Sequence, residues 1–404
     1  MESVIEEDIV IVGAGIAGLT TSLGLHRLGI RSLVLESWDG LRVSGFAITM
    51  WKNGWKALDA VGVGDILRHQ HLQLPRNVTT SLITGQQTST TSFNDNKGKY
   101  EVRCVRRHVM LEALANELPR GTIRYLSKVV AIEESRFFKI LHLIDGTTIK
   151  TKVLIGCDGV NSVVAKWLGM KEASYTGRYA TRGYVELKDT HNLDPMFMYF
   201  GKGFRGGVFP CHHNAIYWFF TWTPIIQGEE LAQDTSKLKQ YVLKKLEKLS
   251  SDVRIFIEKT EFDAFHLAPL RYRKPWELIM GNISKGNVCV AGDALHPMTP
   301  DLGQGGCCAL EDGVVLARCL AEAFFNKSIK EEKEEEYKRI EEGLKKYANE
   351  RRWRCIDLIA TSYIVGSIQQ SGSKFVNFFR DKFLASFLAL MLLKKSDFDC
   401  GQLK

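Results

Sequence analysis

Cysteine and histidine never come together in this sequence at the spacing a metal demands. No CxxC occurs, the adjacent Cys307 and Cys308 are not a ligand pattern, and no His/Cys cluster stands elsewhere, so no metal is expected. The nine cysteines are an odd number without the spacing of a disulfide-stapled domain, which points to a reducing compartment. Long apolar runs are missing too. The stretch Phe383 to Leu393 is nearly all apolar but has only eleven residues, too few to cross a bilayer. No basic block is interleaved with aromatics, which argues against nucleic-acid binding. Only seven residues precede the first strand signal, too few for a signal or transit peptide. An intracellular, cytoplasmic location is therefore expected, and the Asn-x-Ser/Thr triplets at Asn77, Asn282 and Asn326 are chance matches.

What is present describes an ordinary globular protein. The 404 residues suggest two or three structural units, with 45% hydrophobic and 25% charged positions. The net charge of +8, from 54 basic and 46 acidic residues, is spread along the chain and would help attract an anionic nicotinamide cofactor or a carboxylate substrate.

The strongest signal is DIVIVGAGIAGLTTSLGLHRLGIRSLVLES, Asp8 to Ser37. Ile9 to Val12 suit a buried parallel strand, Gly13, Gly15 and Gly18 follow at dinucleotide spacing, a helix follows, and Arg31 to Leu35 read as a second strand. Gly13 permits the tight turn, Gly15 admits the pyrophosphate, and Gly18 lets the helix pack closely, with its N-terminus toward the phosphates. Glu36, at the end of the second strand, is placed to accept from the ribose hydroxyls. A carboxylate there repels a 2′-phosphate, so the site suits FAD or NAD(H). Arg42 and Gly45 lie just beyond, where the rest of a dinucleotide would run.

Later segments add to this unit. VRCVRRHVMLEALANEL opens a helix with Arg106 and Arg107, a pair that opposes the helix dipole unless an anion is present. Ile123 to Ile149 read as a three-strand meander, and VLIGCDGVNSVVAKWLG as a buried strand, a turn through Asp158 and Gly159, and a helix capped by Ser162. Between Tyr175 and Ile279 strands dominate, broken by helices at Ser236–Leu249 and Asp252–Glu258, which reads as an antiparallel sheet. Gly201, Gly203 and Gly206 there also satisfy GxGxxG, but a strand with a proline follows instead of a helix, so the match is a decoy.

GNVCVAGDALHPMTPDLGQGGCCALEDG then gives a strand, Asp293, a proline-bearing loop, and Gly303, Gly305 and Gly306 opening a long helix. Its free amides form a second anion or carbonyl-oxygen site. Lys330 to Arg354 read as a solvated, charged helix. Residues 374–393 read as a helix packed on the body, with peripheral membrane contact the alternative use, given the flanking lysines.

The order of these motifs resembles the class A, single-component flavoprotein monooxygenases of the aromatic-hydroxylase type. Within them it is most similar to plant monooxygenases grouped with salicylate-hydroxylase-like and zeaxanthin-epoxidase-like proteins. The resemblance spans essentially the whole chain and rests on GAGIAG with Glu36, RHVMLEAL, GCDGVNS and GDALHPMTPDLGQGG. It implies an α/β fold: a Rossmann-like FAD-binding domain of the GR2 type with an inserted antiparallel-sheet substrate domain and C-terminal helices. The expected boundaries are 1–71, 100–172 and 280–345 for FAD, 72–99 and 173–279 for substrate, and 346–404 for the helical end. By the same resemblance Gly13, Gly15, Gly18 and Glu36 hold the ADP half of FAD, and Arg42 and Arg107 reach the cofactor. Asp158 and Gly159 match a motif linked to FAD and NAD(P)H, Asp293 binds the ribityl chain, and Pro300, Gly303, Gly305 and Gly306 form the loop beside the isoalloxazine. Family members commonly carry an arginine three residues after the serine of the second motif. Here that position is Ala165, followed by Lys166.

The activity implied is NAD(P)H-driven insertion of one oxygen atom from O₂, through a flavin hydroperoxide, into a small electron-rich substrate such as an aromatic ring. An epoxidase or isoprenoid oxidoreductase, and a flavin-binding protein without turnover, are the competing readings. No catalytic acid or base is assigned. Pocket candidates on the second sheet are Arg182, Tyr184, Phe209, Tyr217 and Trp218, with His296 near the flavin loop. NADH versus NADPH is left open, as is monomer versus homodimer.

Overall fold

The computed structural model describes residues 4–42, 46–95, 98–224, 231, 234–326 and 332–403. Its parallel core is built on the strand Ile5–Val12, longer than Ile9–Val12 because its first four residues continue the pairing at the sheet's solvent end. This strand pairs in parallel with Leu33–Leu35 (Val10 opposite Leu33) and with Thr148–Gly156 (Ile9 opposite Val153). Val288–Val290 joins beyond the latter, with Leu154 opposite Val288. Ile9–Val12, Val153–Gly156 and Val288–Val290 are buried on both faces and read as apolar runs, whereas the first halves of the two longer strands alternate.

The meander forms from Val129–Ser135, Phe138–Leu143 and the first half of Thr148–Gly156. Ile123–Arg124 departs from it and joins the parallel sheet beside Leu33–Leu35. The reason is backbone hydrogen bonding: Val34 N donates to Thr122 O at 2.8 Å and Glu36 N to Arg124 O at 2.9 Å, so this segment pairs the edge of the second strand.

A seven-stranded sheet holds, in order, Phe265–Tyr272, Ser174–Glu186, Ala215–Trp222, Phe204–His212, Met196–Phe200, Arg76–Ser81 and Gln87–Ser92. Helices Thr235–Lys245 and Ser251–Lys259 cover one face, where Trp218, Phe220 and Trp222 pack with Leu238, Val242 and Phe256. Phe209, Tyr217 and Phe219 belong instead to the core cluster of the parallel sheet. Neighbours in one strand point to opposite faces, so a single step in sequence moves a side chain from one core to the other. Gly201, Gly203 and Gly206 lie at the hairpin that pairs Tyr199 with Gly206, and no helix starts there.

The helix Gly305–Phe325 lies against Ile16–Arg27, and Lys333–Gln369 follows as one unbroken 37-residue helix through position 346. Glu334–Lys338 and Glu341–Lys345 pairs, at 2.8 and 3.0 Å, line its wet face. Its opposite face is not solvated: Ile340, Leu344, Tyr347 and Arg351 are buried, so the expected solvated run holds for one side only. Lys330 lies outside the described residues. No helix among the described residues is long and apolar enough to cross a membrane.

Candidate functional site

Between the two sheets lies a cavity of about 330 Å³. Three segments reach it from the parallel core: Gly15–Ala17, Cys157 with Gly159, and Gly292 to Ala309. The first turn is held by geometry only glycine allows. Gly13 has φ +102°, and a Cβ on Gly18 would stand 2.0 Å from Gly13 O. At Gly15 and Gly159, by contrast, a Cβ would meet nothing within 4 Å. Those two positions face the open space, where a ligand's backbone contacts would form.

Two helices begin at this cavity without caps. Ile16–Arg27 starts after Gly15 and Gly305–Phe325 after Gln304; neither has a side-chain cap or an acidic residue in its first turn. The unmet amide donors and the positive helix ends suit an anion or a carbonyl oxygen. The helix Val163–Trp167 has its own cap, Ser162 Oγ accepting from Ala165 N at 2.8 Å. Glu36 ends the second strand with its carboxylate accepting from Ala14 N at 2.9 Å and Trp38 N at 3.0 Å, which fixes it beside the glycine turn.

Arg107, Arg182 and Asp293 line the cavity. Burial lowers the Arg107 pKa, with Arg42 and Arg182 adding to the effect and Asp293 opposing it, so these three cations and one acid share one field. His266, opposite Arg182 in the sheet, is pushed down by burial and then by Arg182, Arg42 and Arg107. Sequence reasoning did not find this histidine. Gly45 lies outside the described residues.

Asp158 faces its own turn. Its carboxylate accepts from Ser162 Oγ at 2.5 Å and Val163 N at 2.7 Å, while Cys157 and Gly159 on either side line the cavity. Burial raises the Asp158 pKa against those bonds.

Of the six pocket candidates, Arg182, Phe209 and Tyr217 line the cavity. Three lie elsewhere. Trp218 is on the other face of its strand, donating from Nε1 to Thr260 Oγ1 at 2.9 Å beneath the covering helices. Tyr184 stacks on Phe46 with ring centres 6.3 Å apart, and its hydroxyl donates to Glu186 at 3.2 Å. His296 is turned inward, its Nε2 2.7 Å from Asp312 Oδ2. Asp312 also accepts from Gly292 N and from Arg351 Nε, each at 2.7 Å, so the group ties the glycine loop to two helices.

His296, Cys308, Asp312 and Cys355 bring their donor atoms within 4.8 Å of one another, a grouping that no local spacing announces. Arg351 donates to Cys308 Sγ at 3.2 Å and to Glu311 at 2.6 Å as well as to Asp312, so a buried guanidinium shares this cluster's carboxylate with His296.

Sequence reasoning also missed the wall opposite the glycine loop. Arg205, Phe219 and Thr221 line it, and Pro300 and Gly303 border both this cavity and a smaller one of about 90 Å³. The smaller space is walled by Met196, Met198, Phe200, Leu388 and Leu392. Trp51 Nε1, beside Gly303, is buried without a hydrogen-bond partner among the described residues. Two-residue alternation along Ala215–Trp222 could have found Phe219 and Thr221 from Tyr217. Arg205 sat inside the glycine decoy, where nothing marked it.

The sequence matches the model of the FAD binding domain family over residues 6–352. It is 55% identical over 408 residues to Monooxygenase 2 of Arabidopsis thaliana, with 100% of each chain covered. It is 36% identical to Monooxygenase 1 of the same plant, over 98% of this chain and 100% of the other. Klebsiella pneumoniae HpxO, solved with FAD and uric acid, shares the fold with a TM-score of 0.79 at 23% identity, over 97% of this chain and 96% of that one.

Proposed function

The chain belongs to the FAD-binding-domain family of flavin-dependent monooxygenases of the aromatic-hydroxylase type, and from that premise we propose that it uses NADH or NADPH and O₂ to insert one oxygen atom into a small, electron-rich aromatic substrate. The observation that carries the reading is the cavity itself. Glycine amides and uncapped helix ends form one side, and aromatic side chains with arginine form the other.

The residues fit FAD: the open positions at Gly15 and Gly159 and the uncapped helices suit a pyrophosphate and a ring carbonyl. Gly15, Arg107, Asp293, Pro300, Gly303, Gly305 and Gly306 on the cavity wall would hold it with Glu36 and Arg42, while Gly13 and Gly18 shape the first turn and Asp158 the turn that presents Gly159. FAD, when bound, accepts two electrons from the nicotinamide and passes them to O₂, so that R–H, NAD(P)H, H⁺ and O₂ become R–OH, NAD(P)⁺ and water. The chain's own tasks are binding, orientation and exclusion of water. Phe209, Phe219 and Met298 supply apolar walls, and Arg107 and Arg182, with Arg42, draw an anionic dinucleotide or a substrate carboxylate. Burial pushes the Tyr217 phenol up to about 12, so it stays protonated and leaves a donor available to a ligand in the cavity it lines.

The test follows NADH and NADPH oxidation by the flavin-loaded protein with a panel of phenolic acids and carotenoid-like lipids, measuring peroxide and oxygenated product together. Stimulated oxidation with product and little peroxide is expected from a phenolic compound. Flavin that neither nicotinamide reduces, with any compound, would overturn the reading.

A further inference from the structure

Two short helices, Lys374–Phe379 and Ala385–Lys395, close the described fold, joined by the wider turn Arg380–Leu384. Their inner side is built into the protein. Arg380 is fully buried and donates to Gln369 O at 2.8 Å and Asn377 Oδ1 at 2.9 Å, and Asp381 accepts from Ser81 Oγ at 2.5 Å. Leu388 and Leu392 form part of the smaller cavity.

The outer side is phenylalanine. Phe375, Phe378, Phe379, Phe383, Phe387 and Leu390 are between 40% and 71% exposed. Phe375 and Phe379 rings stand 4.6 Å apart, Phe379 and Phe383 5.6 Å, and Phe378 and Phe383 6.3 Å, so most of these rings form one continuous patch. Single exposed apolar residues are normal on a protein surface; a contiguous cluster of large aromatics marks a contact surface.

The surrounding charge decides what it contacts. Lys374, Lys382 and Lys394 are exposed around the patch, and Lys382 Nζ lies 5.5 and 5.7 Å from the Phe378 and Phe383 ring centres. The one acid between positions 374 and 395 is Asp381, and its carboxylate is engaged by Arg380 and Ser81. Rings at acyl depth with ammonium groups at the level of anionic headgroups are the arrangement of an interfacial helix, whereas a protein partner would need an acidic, apolar groove of matching shape.

We propose that this face docks the protein peripherally on an anionic lipid surface. The same helix carries Leu388 and Leu392 on the wall of the smaller cavity, which shares Pro300 and Gly303 with the main one, so the substrate we infer is an aromatic compound dissolved in that membrane and entering beside the docked helix. This last step rests on the monooxygenase reading; the docking does not.

The flavin-loaded full chain is sedimented with phosphatidylcholine vesicles with and without phosphatidylserine. Pelleting is expected with phosphatidylserine and is expected to weaken as salt rises. F378S/F379S/F383S is expected to lower the bound fraction about tenfold or more, and K374E/K382E to remove the preference for phosphatidylserine, both variants keeping the wild-type flavin spectrum. Wild-type protein that stays in solution with every vesicle, or a phenylalanine variant that binds as wild type does, overturns the docking. So does a dimer seen by light scattering that the same substitutions dissolve, since a second copy would then cover the face. For delivery, a long-chain alkyl phenol dissolved in the vesicles is expected to stimulate NAD(P)H oxidation by the wild type several-fold more than by the phenylalanine variant. Equal stimulation of both overturns the delivery step alone.

Discussion

Arg178 Nη2 donates to Asp301 Oδ2 at 2.8 Å, and the other oxygen of the same buried carboxylate lies 3.3 Å from Arg205 Nε. Arg178 and Arg205 come from the second sheet and Asp301 from the loop that also carries Pro300 and Gly303, so one acid fastens that sheet to the glycine loop. Arg205 Nη2 reinforces the joint by donating to Pro300 O at 3.2 Å.

Replacing Asp301 leaves two buried guanidiniums without their counter-charge. Asp301→Asn is therefore expected to cost about 3–5 kcal/mol, read as a lower thermal midpoint with loss of bound flavin. Burial opposes ionisation of this carboxyl, but Arg205 and Arg178 outweigh it and hold its pKa below the usual 3.8. Its contribution to stability is fully present above the unfolded pKa and disappears as pH falls through the lower folded one. The midpoints of wild type and variant should accordingly converge only in strong acid. A variant as stable as wild type at neutral pH would remove Asp301 from this role.

Gly15 and Gly18 separate packing from ligand contact. Gly18→Ala puts a Cβ 2.0 Å from Gly13 O, so the helix must shift and both stability and flavin retention fall. Gly15→Ala meets no protein atom within 4 Å. Its thermal midpoint without flavin should match the wild type while its affinity for FAD drops, as equilibrium dialysis would show. Wild-type affinity in Gly15→Ala would place the pyrophosphate elsewhere.

The parallel core was legible because its strands are buried on both faces, and the glycine turn because close approach to a phosphate leaves glycine no substitute. The second sheet was legible as strands but not as faces. Tyr217 and Trp218 are adjacent, aromatic and both buried, so hydropathy alone cannot say which one faces the cavity. Arg351 was hidden for a different reason: a lysine- and glutamate-rich helix reads as solvated, and what buries this arginine is Glu311 and Asp312 on another helix. His296 stands beside the flavin loop in sequence, yet the carboxylate that turns it inward is 16 residues away.

His296 sets a pH test of that inward contact. Burial favours the neutral ring, but Cys308, Asp312 and the hydrogen bond to Asp312 together raise its pKa well above 6.5. A raised folded pKa means the stabilisation is complete below the unfolded value and is lost as pH rises through the folded one. His296→Gln should therefore lower the thermal midpoint most in mildly acidic buffer, with the gap to wild type narrowing toward alkaline pH. A gap that widens with pH would mean the imidazole is neutral in the fold.

The adjacent pair Tyr217 and Trp218 offers the sharpest test of which face does the chemistry. Tyr217 lines the main cavity, and Trp218 is bonded to Thr260 under the covering helices. Tyr217→Phe removes one hydroxyl from the cavity and keeps the ring, so stability and flavin content should stay near wild type. Loss of one hydrogen bond of about 1 kcal/mol should lower product formation roughly fivefold, with more of the consumed NAD(P)H appearing as peroxide. Trp218→Phe should behave in the opposite way. It leaves a void and strips Thr260 Oγ1 of its donor, so the thermal midpoint falls by an amount equivalent to about 1–3 kcal/mol while the ratio of product to peroxide is unchanged. If Trp218→Phe alters that ratio and Tyr217→Phe does not, the reacting substrate lies on the helix-covered face of the sheet and the cavity between the sheets is not where oxygen is transferred.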